Sequence, residues 1–131
     1  TAALILDLTA QVPANATEWG FVTISTANSI YYIDRDSIRK TSDYGGQIVS
    51  AWFKIDESKN AKVRHRETKI LYHFRCATSE MKSVQWIDYA ADGSVVNSSQ
   101  SNAYSSFRVA VPDSVGYSML EVACNPEPDA M

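Results

Sequence analysis

Apolar residues in this chain alternate with polar ones far more often than they recur at helical spacing. The cleanest run has Thr68, Ile70, Tyr72, Phe74 and Cys76 on one parity and His65, Glu67, Lys69, His73 and Arg75 on the other. A period of two sustained over ten residues marks a strand with one buried and one wet face. Residues 47–56 follow a Gly45-Gly46 turn signal, and Val49, Ala51, Phe53 and Ile55 fill one face without a polar interruption, as in a central strand. Residues 19–26 and 29–34, rich in aromatic and β-branched side chains, predict two more strands around a turn at Ala27-Asn28. Residues 34–40 are polar apart from Ile38, and Asp36 or Ser37 is placed to cap one short helical turn. Residues 57–63 read as a loop.

Residues 81–91 predict another strand, whose parity switches between Trp86 and Ile87, as a bulge or two-sided burial produces. Asp92-Gly93 signals a hairpin into Val95-Val96, followed by a serine-rich loop over 94–106 and a brief apolar stretch over 107–111. One helix is expected, Val115–Cys124. Asp113 or Ser114 can cap it, Val115, Met119 and Val122 recur at i, i+4, i+7, and Asn125-Pro126 ends it. Only Ser118 and Glu121 form a polar stripe, so most of this helix must be covered. The pattern predicts an α+β fold: an antiparallel sheet of about six strands with the C-terminal helix packed on one face. Residues 1–18 read as a flexible leader, 19–125 as one domain and 126–131 as a tail.

Composition narrows the class. With 131 residues, 45% of them hydrophobic, the chain suits a single core. Charged residues make up 21%, and 3 Trp, 7 Tyr and 4 Phe supply bulk, which excludes a disordered, collagenous or coiled-coil chain. The net charge of −3 argues against holding nucleic acid by counterion release. No apolar run approaches the ~20 residues that a spanning helix needs.

Two cysteines are present, Cys76 and Cys124. They read as a structural disulfide, with two buried thiols as the alternative and thiol chemistry a remote third. A four-ligand zinc site lacks partners, and His73 and Cys76, three apart on a strand, point to opposite faces. A bridge would imply the periplasm, the cell surface or the exterior. Thr1 in place of an initiator Met fits an exported chain whose signal peptide was cleaved.

Candidate chemistry is sparse. His65 and His73 fall on the same wet parity, but eight strand residues separate them by about 26 Å, too far for joint ligation of one ion. The carboxylate pairs Asp34/Asp36 and Asp88/Asp92 read as turn formers, and neither a Gly-rich phosphate loop nor a G-x-S-x-G elbow occurs. No catalytic residue, metal site or cofactor is expected, and the chain is not read as an enzyme. Charge is the stronger signal. Residues 59–69 hold Lys59, Lys62, Arg64, Arg66 and Lys69 against Glu67, a local net of +4, which leaves −7 for the rest. Such a field suits an anionic partner; it also suits an edge that uses cations only to block aggregation.

Several features in order give the chain a family likeness: the Trp19 strand; Tyr31-Tyr32-Ile33-Asp34 leading to Ser37-Ile38-Arg39; residues 49–53 around Trp52; the basic stretch into Lys69-Ile70-Leu71 with Cys76 beyond it; Gly93; and Val111-Pro112-Asp113-Ser114 before Cys124. Together they resemble the surface-adhesin protein E-like domains of Gram-negative bacteria. The resemblance implies a six-stranded antiparallel sheet whose C-terminal helix is tethered by a Cys76–Cys124 disulfide. It also implies an exported, non-enzymatic domain that binds laminin, vitronectin or plasminogen through Lys62, Arg64, Arg66 and Lys69. Two rivals stand beside this reading: a periplasmic inhibitor or immunity-type protein, and a dimer that binds haem or a small molecule through His65 or His73. The expected partner is a protein or polyanion, with no nucleic acid and no membrane-spanning segment; a homodimer is left open.

Overall fold

The computed structural model describes residues 17–99 and 106–126. Most of the leader, most of the tail and the centre of the serine-rich loop therefore lie outside the described residues. The strands are β1 (Trp19–Ile24), β2 (Ile30–Asp43), β3 (Gly46–Asp56), β4 (Glu67–Arg75), β5 (Glu80–Tyr89) and β6 (Val95–Ser98). They follow one another across an antiparallel sheet in chain order, and the two-residue β7 (Arg108–Val109) pairs with the start of β5. One helix, α1 (Val115–Cys124), crosses a single face and touches β1 through β5.

Strict alternation sorts the side chains into two faces. Ile33, Phe53, Ile70 and Trp86 stand side by side in adjacent strands and form the helix-facing row. Ile33, Phe53 and Phe74 are fully buried there and meet Met119, Leu120 and Ala123 of α1. The Phe53 ring lies edge-on to both Phe74 and Tyr72, with centroids 5.8 Å apart in each case. Ser114 caps the helix by accepting the Tyr117 N–H at 3.1 Å, a bond that satisfies one of the free first-turn amides.

Cys76 and Cys124 form a disulfide with their Cα atoms 5.8 Å apart. Cys76 stands one residue past the end of β4, in a short 3-10 turn (Cys76–Thr78), and not on the strand itself. The turn carries the sulfur up to the helix end, and Ala110 N–H donates to the Ser79 carbonyl alongside it at 2.8 Å.

Two local expectations need correction. The short helical turn over 34–40 does not form; β2 runs on through it, and the register jumps from Asp34↔Trp52 to Arg39↔Ser50. The extra residues are held as a wide bulge by side chains that act in place of ladder bonds. Ser37 Oγ donates to the Asp34 carbonyl at 2.6 Å and accepts the Trp52 N–H at 2.9 Å, while Asp34 Oδ1 accepts the Asp36 N–H. Ser37 thus serves the sheet where it was expected to cap a helix. Replacing Ser37 by Ala leaves the Trp52 N–H without its acceptor, and urea unfolding should show a loss of about 1–3 kcal/mol. The irregularity in β5 lies at Val84, between the pairs Leu71↔Gln85 and Tyr72↔Ser83, and not between Trp86 and Ile87. Every residue of β5 is half-buried, so two-sided burial also holds.

Candidate binding surface at one end of the sheet

The segment between β3 and β4 is polar, yet it is built around a buried centre. Asn60 is 7% exposed and Ser29, from the β1–β2 turn, 4%. Asn60 Nδ2 donates to Ser29 Oγ at 3.1 Å, Ser29 Oγ donates to Glu57 Oε1, and Asn60 Oδ1 accepts the Lys62 N–H at 3.0 Å. Backbone bonds close the base: Glu57 N–H to the Arg66 carbonyl, and Arg66 N–H to the Tyr89 carbonyl, each at 2.8 Å. A buried amide that is satisfied on several sides fixes a loop more firmly than its composition suggests. On that frame Lys59, Lys62, Arg64 and Arg66 are all exposed.

Lys69 lies apart from this loop, inside β4, on the face away from the helix. That open face carries the row Phe21, Tyr32, Lys54, Lys69 and Ile87, one residue per strand from β1 to β5. Lys54 Nζ sits 5.3 Å from the Trp19 ring centre and 4.9 Å from that of Tyr32, and Lys69 Nζ sits 5.0 Å from Tyr89. Lys69 also meets Glu67 at 3.8 Å. At the other end of the face, Arg75 and Lys82 stack on Phe107 with 4.2 and 4.8 Å to its centroid. Arg75 also makes a two-pronged pair with Asp43 (both bonds 2.8 Å), which holds the Asp43 carboxyl below its ordinary range.

Of the residues singled out from sequence, Arg66 and Lys69 share a cleft of about 380 Å3; Lys62 and Arg64 do not line it. Its other lining includes Lys54, Asp56, Glu67 and Tyr89. Lys54, Tyr89, Trp19 and Tyr32 escaped the sequence reading because only strand register brings them together. Lys54 alternates with Phe53, and that parity was the one available signal. A larger cavity, about 560 Å3, lies at the opposite end of β5 between β7 and the start of α1; none of the residues 59–69 line it.

The two histidines do not share a face. His65 precedes β4, and its Nε2 lies 2.9 Å from Thr68 Oγ1 and 3.6 Å from Asp88 Oδ1 on the helix-facing side. The chain leaves the strand's alternation before Glu67, so parity counted back to His65 fails. His73 is half-buried on the open face, where burial and then Lys82 hold its pKa below the ordinary imidazole value.

Among the described residues the chain is one antiparallel sheet with one helix tethered to it by a disulfide, and cations line one rim. The sequence profile of the surface-adhesin protein E family matches residues 19–125, and the chain belongs to that family. Its fold is shared with crystal form II of Haemophilus influenzae protein E, at 20% identity and a TM-score of 0.56 over 86% of this chain and 93% of that one. The selenomethionine form of Haemophilus influenzae protein E gives 18% identity and 0.55 over 92% and 97%. Protein E from non-typeable Haemophilus influenzae gives 18% and 0.51 over 87% and 82%. No curated protein matches the chain by sequence.

Proposed function

We propose that this adhesin-family domain binds an extracellular host protein of the laminin, vitronectin or plasminogen kind through the β3–β4 loop, with Lys62, Arg64 and Arg66 as the contacting cations. The observation that carries the reading is the Asn60-centred network. It holds Lys59, Lys62, Arg64 and Arg66 exposed on an ordered loop in an otherwise acidic chain. A cation array used only to block a sheet edge needs no such frame, and this loop borders β3 and β4, which are interior strands. The role is binding, and it operates where the Cys76–Cys124 bridge is stable, outside the cytoplasm.

Reversing both Lys62 and Arg64 to Glu tests this. Immobilised laminin, vitronectin and plasminogen should capture the variant with an on-rate lowered roughly tenfold, and the salt dependence of capture should flatten. Unchanged capture of all three proteins would overturn the assignment.

A further inference from the structure

Lys54 and Lys69 stand directly opposite one another in β3 and β4, so their Cβ atoms are about 5 Å apart. Like charges at such positions destabilise a sheet. The two ammoniums lean in opposite directions, Lys54 onto Tyr32 and Trp19 and Lys69 onto Tyr89, and the rings hold them without neutralising either. Among the described residues Lys54 has no ion pair. Arg66 completes the cleft; one of its N–H groups donates to the Ser58 carbonyl at 3.3 Å, and a guanidinium has further donors to offer.

Two carboxylates line the same cleft. Asp56 accepts the Ser58 N–H at 2.9 Å, and the Ser58 bonds hold its pKa below the ordinary range; Glu67 lies against Lys69. Three cations against two carboxylates leave one positive charge. That suits a monoanion better than a phosphate monoester, which carries close to two charges at neutral pH. A peptide is a poor fit here. β3 and β4 are paired on both sides and offer no free backbone groups for strand addition, so a peptide laid on this face would leave its own amides unpaired. A sugar ring needs no backbone partner, and Tyr89, Ala90 and Ala91 in the cleft lining offer an apolar surface to its C–H groups.

We infer that the cleft between Lys54, Lys69 and Arg66 seats a sulfate ester of a sulfated glycosaminoglycan chain. This rests on the reading that the β3–β4 end is the binding end, and it adds a glycan seat beside the protein-binding loop. The probe is a heparin tetrasaccharide titrated calorimetrically into the full chain. Binding should weaken about tenfold or more in Lys54→Gln/Lys69→Gln, since each charge-assisted bond lost is a substantial part of so small an interface. Lys54→Arg/Lys69→Arg should keep most of it. The Gln variant should melt within a few degrees of the parent, because removal of a like-charge pair offsets the lost ring contacts and the exposed Lys69–Glu67 pair; single Lys54→Gln carries the test if the double variant does not fold. Equal binding by parent and Gln variants overturns the inference, as does equal binding of a fully desulfated tetrasaccharide. Association only with anionic phospholipid vesicles also overturns it and marks a membrane-facing surface. Failure here leaves the capture experiment with Lys62 and Arg64 unaffected, since both protein ligand and variant differ.

Discussion

Reduction of the Cys76–Cys124 bridge, or replacement of both cysteines by serine, should lower stability by about 4 kcal/mol, the chain-entropy value for a loop of this size. The bridge closes a separation of 48 residues, from the end of β4 to the last residue of α1. Within that loop lie β5, β6, β7 and the helix, so the unfolded chain gains wide freedom once it opens. The loss should exceed what the helix contacts alone can offset. Met119, Leu120 and Ala123 are the buried residues of α1, and a ten-residue helix is marginal without tertiary support. Denaturant titration with and without reductant measures the difference, and the double Cys→Ser variant, with or without reductant, should match the reduced parent. A midpoint insensitive to reductant would mean that packing alone fixes the helix.

Phe53→Ala should cost about 3–5 kcal/mol, the range for emptying a fully buried aromatic site. Phe53 is 0% exposed, stands in an interior strand, and touches two further rings edge-on. Its neighbours Ile33 and Ile70 lie on strands whose hydrogen bonds restrict movement into the void, so the site should relax little. Urea unfolding followed by tryptophan fluorescence gives the value; a loss below about 1 kcal/mol would show that the layer repacks. Phe53→Leu should retain most of the lost stability.

Most of the architecture was readable because alternation is a local property. The β3 and β4 faces followed from Val49, Ala51, Phe53 and Ile70, Tyr72, Phe74, and α1 followed from its apolar spacing and Ser114. The bulge in β2 was not readable. Asp34, Asp36 and Ser37 are good helix-capping residues and equally good bulge formers, and only the tertiary partner, the Trp52 amide, decides between them. The Val84 irregularity escaped for a similar reason: β5 is half-buried on both sides, so parity carries little information there. In the candidate site, the basic residues were visible as a run, but a run says nothing of which cations meet. Arg66 and Lys69 join Lys54 through the register of β3 on β4, whereas Lys62 and Arg64 project from the loop above.

The same strands serve two masters by alternate residues. Phe53 belongs to the core and Lys54 to the solvent-facing layer; Ile70 and Lys69 repeat the division one strand over. Variation on the outward side is therefore uncoupled from foldability, and relatives with fewer than one residue in four in common can keep the scaffold while presenting quite different surfaces to their surroundings.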